Sequence, residues 1–345
     1  MMENPIIKND IKEFVDHFPL YEQFRDKTIL ITGITGLIGS ISAKCIIALD
    51  EKYKLNCKII GIVRDKNKAL SLLGNLKQIE FISINLNDIN DIKYSVDYIL
   101  HFACPTSSRY FIEHPIEVYD IICKGTEKIL QYAVRCNIKS MVYASSIESY
   151  GSNDTMLPIT EDFQGYIDPL STRSSYSLGK RSAEFLSYSY FKEFNLPVKI
   201  ARLTQTFGAG ANINDSRVFA QFAKSAILQQ DIILHSTGKS SKPYIYTTDA
   251  VSAILFILLK GNNGEAYNIA NSNSFMSIKA MADLIKSNFS PNINIRIEID
   301  KNKGYAPDTI LNLDVSKLFR LGWSPRISII EMYQRLIQYY QTYEI

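Results

Sequence analysis

The chain has 345 residues, 46% of them hydrophobic and 21% charged, and 38 Lys+Arg against 35 Asp+Glu leave a net charge of +3. This balance excludes disorder driven by charge repulsion and offers no concentrated basic patch for nucleic acid. The longest apolar run is about seven residues, Ala253 to Leu259, where a membrane helix needs about 20. Residues 1–10 carry no apolar signal region. The five cysteines (Cys45, Cys57, Cys104, Cys123, Cys136) form no CxxC pair and read as reduced thiols that fill a core. The expectation is a cytoplasmic protein of one large or two medium domains.

In chain order, residues 1–26 read as a helical preface, with Ile7, Ile11, Phe14, Val15 and Phe18 at helical spacing. Thr28–Thr32 is a short apolar run that ends at a glycine, as expected of a strand buried on both faces of a parallel sheet. Gly39–Leu49 is predicted helical. Further buried strands are predicted at Lys58–Val63, Ile79–Ile84, Asp97–Phe102, Ser140–Ser145 and Val198–Leu203, with helices at Pro115–Val134 and Ser174–Phe194. Strands alternating with helices predict an α/β fold with a Rossmann-like doubly wound parallel sheet. After Thr206 the alternation loosens. Ala211–Ser216 and Ser236–Pro243 read as loops, Asp249–Lys260 as a helix and Ala266–Ile269 as a strand. A helix follows Ser277, and a last one runs from Ser328 to Tyr340. The expected division is 1–26 as an extension, 27–205 as the dinucleotide domain and 206–345 as a smaller α/β substrate domain. Some segments of the last part return to the sheet.

Three strings carry chemistry. In Thr32-Gly33-Ile34-Thr35-Gly36-Leu37-Ile38-Gly39, three glycines at three-residue spacing join a buried strand to a helix. Gly33 suits the tight turn, Gly36 lets a pyrophosphate approach the backbone, and Gly39 lets the helix pack close to the sheet. A purely structural turn is the alternative. In Tyr176-Ser177-Leu178-Gly179-Lys180, the phenol and the ammonium are four apart on one helix face. A neighbouring ammonium favours the phenolate, so Tyr176 is a candidate base. Ser145-Ser146-Ile147-Glu148 ends the fifth strand, which brings Ser146 and Glu148 to the cleft; a serine-rich turn is the bland alternative.

Together these strings resemble the extended short-chain dehydrogenase/reductases, the NAD-dependent epimerase/dehydratase family of nucleotide sugars. The resemblance runs from about Lys27 to Tyr340 and includes Leu321-Gly322-Trp323-Ser324-Pro325. It implies a catalytic set of Ser146, Tyr176 and Lys180. It also implies a cofactor loop of Gly33, Thr35, Gly36, Leu37, Ile38 and Gly39, with a tightly bound NAD(P) that recycles. A homodimer through the Tyr176 helix is a further implication. Within the family, His101-Phe102-Ala103-Cys104-Pro105, Arg173-Ser174-Ser175-Tyr176, Gly179-Lys180-Arg181 and Asn214-Asp215-Ser216-Arg217 are similar to the branch that decarboxylates UDP-glucuronate. That likeness names Glu148 as a further catalytic group. It makes Pro105, Arg181, Gln205, Arg217 and Lys242 the substrate contacts.

Several positions depart from the pattern. Ile147 stands where dTDP-glucose-type dehydratases carry an acidic residue, and isoleucine has no proton to give. Lys242 replaces an arginine, keeping the charge without the bidentate fork. Ile122 and Gln205 replace asparagines, and an arginine expected near Gly304–Asp308 is missing. These changes gather on the substrate side. They point to retained C4 oxidation with an altered substrate or second step, so a 4-epimerase or dehydratase acting on another nucleotide sugar is the enzymatic alternative. A dinucleotide-binding sensor is the alternative outside catalysis. At the end of the second strand, Arg64 occupies the place of the acid that bonds the ribose in NAD enzymes and favours NADP. Family likeness and the neighbouring Asp65 favour NAD. Four dispersed histidines without HxxxH spacing give no expectation of a metal.

Overall fold

The computed structural model describes residues 4–299 and 308–343. Its strands are β1 (Thr28–Thr32), β2 (Lys58–Val63), β3 (Ile79–Ser83), β4 (Tyr98–His101), β5 (Ser140–Ser146) and β6 (Val198–Leu203). Then come β7 (Gln205–Phe207), β8 (Ile232–Leu234), β9 (Ser241–Tyr246), β10 (Ala266–Ile269), β11 (Asn271–Ser277) and β12 (Ile295–Ile297). The helices are α1 (Pro5–His17), α2 (Leu37–Tyr53), α3 (Lys66–Leu73), α4 (Ser108–Glu113), α5 (Pro115–Cys136) and α6 (Ser174–Phe194). They continue with α7 (Val218–Leu228), α8 (Thr247–Lys260), α9 (Ile278–Phe289), α10 (Ser316–Phe319) and α11 (Ile329–Tyr340).

Seven strands form one parallel sheet in the order β3-β2-β1-β4-β5-β6-β10. The apolar runs of β1, β2, β4, β5 and β6 became inner strands because both faces are covered, whereas β3, expected to be buried, is an edge strand with Glu80 and Ser83 exposed. On β1, Ile29 and Ile31 enter the core on one side and Leu30 enters the core on the other. The first core takes residues from α1, α2 and α8, among them Phe14, Ile46 and Ile254. The second takes Ile122 and Ile129 of α5 and Ala183 of α6. Strand order reverses between β1 and β4, which opens a crevice at the carboxyl ends of the strands, where such sheets bind ligands.

The C-terminal part returns to this sheet. Strand β10 pairs with β6, and the Ser140 hydroxyl at the foot of β5 donates to Leu258 O of α8 at 2.6 Å. Two further small sheets, β11-β9-β7 and β12-β8, complete the C-terminal part. Asp249, in the first turn of α8, accepts the N–H groups of Arg326 and Ile327 at 3.0 Å each and ties down the run into α11.

Two local readings change. The polar string Ser236–Pro243 is not all loop: Ser241–Pro243 opens β9, held by pairing with β7 and β11. That pairing is long-range, so local polarity did not reveal it. Helices α3, α4 and α7 carry no sequence expectation; α7 buries Phe219, Phe222, Ala223 and Ala226 against the C-terminal core. Among the described residues, no helix is long and apolar enough to cross a membrane.

One buried cation yields a pH prediction. Lys199 of β6 donates to Ser140 Oγ at 2.7 Å, and burial lowers its ammonium from the usual 10.5 to about 8. Between those values the unfolded chain binds the proton and the folded chain does not, so this residue makes stability rise with pH across that window. We expect Lys199→Met to be more stable than wild type in urea at pH 7.5, with the margin narrowing at pH 9.5. A margin independent of pH would mean that Lys199 titrates as an exposed lysine does.

Candidate active site

The glycine turn is built by close approach. Gly33 has φ +65°, and a Cβ there would stand 2.8 Å from the backbone of Phe102 and Ala103 at the end of β4. A Cβ on Gly39 would stand 2.3 Å from Gly33 O, so α2 crosses the turn at backbone contact. Thr32 Oγ1 accepts the N–H groups of Phe102 and Ala103, both at 3.2 Å, and lies 2.7 Å from His101 Nδ1. The other nitrogen of His101 faces Thr126 Oγ1 of α5 at 3.2 Å. Burial pushes His101 down to about 3, so it is a neutral structural bridge between β1, β4 and α5.

This turn fits a dinucleotide diphosphate. Gly36 is exposed and caps α2 with no side-chain acceptor, so the first N–H groups of the helix are open to an anion. Thr35, Leu37 and Ile38 border the same opening, each half-buried. At the end of β2, Arg64 is exposed. The neighbouring Asp65 is the N-cap of α3, accepting Lys68 N–H at 3.0 Å.

Helix α6 lines the opposite wall. Tyr176, Lys180 and Glu184 recur every four residues on the face toward the sheet, with Lys180 and Glu184 buried. Lys180 Nζ donates to Ala144 O of β5 at 2.7 Å and stands 5.7 Å from the Tyr176 ring centroid. The Tyr176 ring stacks on Phe111 of α4 at 4.4 Å. Burial raises the Tyr176 phenol well above its usual value, and Cys104 and Glu148 push the same way. A hydrogen bond with Ser146 and the charge of Arg217 pull it down. Spacing alone suggests Lys180 as the main influence on this phenol. Here burial leads, and the Lys180 ammonium is directed to a β5 carbonyl.

Ser146 ends β5, and its Oγ accepts Glu148 N–H at 3.2 Å. The Glu148 carboxylate is half-buried, 3.3 Å from Arg173 Nη1, and accepts from Ser177 Oγ at 3.4 Å. Lys242 of β9 faces this group. Burial lowers its ammonium, Glu148 raises it, and Arg217 and Arg173 lower it again. Arg217 itself is held by Asp215, with Nε at 2.9 and 3.0 Å from the two carboxylate oxygens. One cleft therefore gathers Ser146, Glu148, Tyr176 and Lys180 with three cations, Arg173, Arg217 and Lys242. Lys180 is a fourth, and against the two carboxylates of Glu148 and Asp215 the excess is positive, which suits an anionic substrate.

Other named residues sit elsewhere. Arg181 turns away: Nε and Nη2 donate to Ser149 O at 2.9 and 2.7 Å, and Nη2 to Gly165 O at 3.1 Å, clamping the chain after β5. Gln205 begins β7 in register with Tyr244. Pro105 lies half-buried in the loop after β4. Ile147 is buried in an apolar cluster with Tyr150 and Ile159. Ile122 is buried on α5, its Cδ1 3.1 Å from where a Gly179 Cβ would stand. Residues 304–307, near the missing arginine, lie outside the described residues.

Two neighbours of this cleft escaped the sequence reading. Cys104 does not merely fill core: burial raises its thiol, while the charge of Lys180 and a hydrogen bond with it lower it. Its position directly before Pro105 was the available signal. Arg173 had only its place beside Ser174 and Tyr176 to mark it.

Comparison with known proteins gives a consistent picture. Residues 29–270 match the model of the "NAD dependent epimerase/dehydratase family". UDP-glucuronic acid decarboxylase 6 of Arabidopsis thaliana is 29% identical over 310 residues, covering 88% of this chain and 85% of that protein. UDP-glucuronic acid decarboxylase 1 of Danio rerio is 28% identical over 322 residues, covering 91% and 72%. In fold, the chain resembles a UDP-glucose 4-epimerase of Thermotoga maritima solved with UDP-glucose (TM-score 0.78, 21% identity, 91% and 99% covered). It also resembles the dTDP-glucose 4,6-dehydratase DesIV of Streptomyces venezuelae solved with NAD (TM-score 0.77, 21% identity, 91% and 97% covered).

Proposed function

The chain belongs to the NAD dependent epimerase/dehydratase family, and from that premise we propose that it oxidises C4 of a nucleotide-linked uronic acid, decarboxylates the 4-ketone and returns the hydride. The observation that carries this reading is the joint presence of Tyr176, Ser146 and Glu148 in one cleft with three cations. The named decarboxylase relatives, aligned over most of their length, support the same choice. When bound, the dinucleotide supplies hydride acceptance and return. Tyr176 Oη takes the proton of the sugar 4-hydroxyl, and Ser146 Oγ orients that oxygen. Ser146 and Arg217 already pull the phenol toward the ionised form, against burial. A C4 ketone makes the C6 carboxylate a β-keto acid. The C5–C6 electron pair then moves toward the C4 oxygen as carbon dioxide leaves, and a proton from water, added at C5, re-forms the ketone. As the hydride returns to C4, Tyr176 gives its proton back to the C4 oxygen. Arg173, Arg217 and Lys242 hold the substrate's anionic groups.

The enzymatic alternative is a 4-epimerase or dehydratase acting on another nucleotide sugar. Ile147, buried and without a proton, disfavours dehydration of the dTDP-glucose kind. A sensor without turnover is the remaining alternative, and the complete Ser146–Tyr176–Lys180 set speaks against it.

Two finer readings accompany this one. The bound dinucleotide is NADP. Arg64 takes the acid's place at the end of β2, where a cation pairs with a 2′-phosphate, and the Asp65 carboxylate is engaged by α3. Two copies pair through α5 and α6. Ile116 is 79% and Phe185 68% exposed there, with Tyr119 and Tyr188 one turn on, an apolar stripe suited to an isologous contact. A cytoplasmic location completes the reading.

Purified protein incubated with UDP-glucuronate and no added cofactor should lose the mass of carbon dioxide by mass spectrometry. Tyr176→Phe should reduce the rate at least about 100-fold, the scale of a lost proton-transfer group. Unchanged mass would sink the decarboxylase assignment, and a biological effect that survives Tyr176→Phe would favour the sensor. Released cofactor should carry the 2′-phosphate, and Arg64→Asp should reverse the binding preference between NADP and NAD in titration calorimetry; NAD released from wild type refutes that choice. Light scattering should give twice the chain mass, falling to one in Phe185→Asp.

A further inference from the structure

We propose that Asp10, on the N-terminal helix, is a positioning residue for the ligand cleft: through the Tyr246 hydroxyl it sets the loop of residues 208–217. Both α1 and α11 lie outside residues 29–270 matched by the family model. They nevertheless meet at the end of β9. Asp10 is 4% exposed, and its two carboxylate oxygens take hydrogen bonds from Tyr246 Oη and from Arg335 Nη1 of α11. Arg335 also reaches Glu13 and Glu331, which locks α1 to α11.

The phenol of Tyr246 is the transmitting element. Its single proton goes to Asp10 Oδ2 at 2.5 Å, which leaves its lone pairs for the buried N–H of Ala209 at 3.2 Å. Without Asp10 that proton has no fixed direction, and Oη is no longer held as an acceptor. The loop also packs closely against the ring, since a Cβ on Gly208 would stand 2.5 Å from Tyr246 Cε2. On its other side the loop rests on α2: the place of a Gly210 Cβ is 3.3 Å from Leu37 Cδ1 and 3.5 Å from Ile41 Cδ1. Tyr340 of α11 donates to Asn212 O at 3.0 Å, and the loop ends in the Asp215–Arg217 pair. A shift of this loop therefore changes both the support of the helix that starts at the glycine turn and the position of Arg217. Its weight for ligand binding rests on the dinucleotide and nucleotide-sugar readings above. Its geometry does not.

Hydrogen exchange by mass spectrometry on the full chain tests this, together with the dinucleotide content of each purified variant. Asp10→Ala and Tyr246→Phe should speed exchange in residues 208–217 about tenfold, the effect of one lost hydrogen bond, and should lower the dinucleotide retained. Asp10→Asn keeps an acceptor for Tyr246 and should restore both toward wild type. Exchange that is unchanged in 208–217, that rises evenly over the whole chain, or that is equal in Asp10→Asn and Asp10→Ala would overturn the proposal. Wild-type protein without dinucleotide would refute the reading of the glycine turn instead, and exchange would still decide the role of Asp10.

Discussion

A charge pair hidden between the Tyr176 helix and the sheet decides where the cleft's groups stand. Arg202 of β6 and Glu184 of α6 meet through Nη2 and Oε2 at 2.7 Å, with side chains 8% and 9% exposed. Ser145, next to Ser146, donates to the same carboxylate. Arg202 also reaches Glu161 O at 2.6 Å and lies over the Tyr150 ring at 4.6 Å. Glu161 in turn accepts Asn268 N–H of β10 at 2.8 Å. Burying two charges gains little net stability, because desolvation offsets the attraction. What the pair provides is register. Glu184 is two turns beyond Tyr176 and one beyond Lys180 on the same face, so fixing it fixes the rotation of α6 against β5.

The opposite wall is set by neutral contacts. Thr32, His101 and Thr126 form a buried chain across β1, β4 and α5, and burial keeps the imidazole uncharged. A protonated imidazole there would be repelled by the nearby Lys180 ammonium, which already disfavours a proton on His101. Charge is concentrated instead around two carboxylates, with Arg173 and Lys242 near Glu148 and Arg217 on Asp215. The division matches the chemistry proposed: hydride transfer needs backbone placement and an open helix terminus, while holding a diphosphate and a carboxylate needs cations.

The N-terminal helix joins this arrangement from outside. Its apolar residues pack as any amphipathic helix does, with Phe14 stacked on Phe18 at 5.1 Å and Phe18 edge-on to Phe256 at 5.7 Å. Its one buried acid is different in kind. Asp10 ties α1 to α11 and to the end of β9.

Much of the fold was legible because the signals were local. A strand covered on both faces is apolar along most of its length, so Thr28–Thr32 and Lys58–Val63 declared themselves, and Val198–Leu203 did so despite Lys199 and Arg202, whose buried partners only the fold supplies. The glycine turn was readable because backbone contact leaves no room for a Cβ, and Tyr176 with Lys180 because a helix brings residues four apart onto one face. The rest had to wait for the tertiary structure. Ser241–Tyr246 is a strand only because distant segments pair with it. Cys104 meets Lys180, Arg173 meets Glu148, Arg202 meets Glu184 and Asp10 meets Tyr246 only after folding, across 18 to 236 residues of chain. Periodicity and motif spacing report what a residue does with its neighbours along the chain. Which acid finds which base, and whether burial or a nearby charge governs Tyr176, depends on the packing of elements against one another.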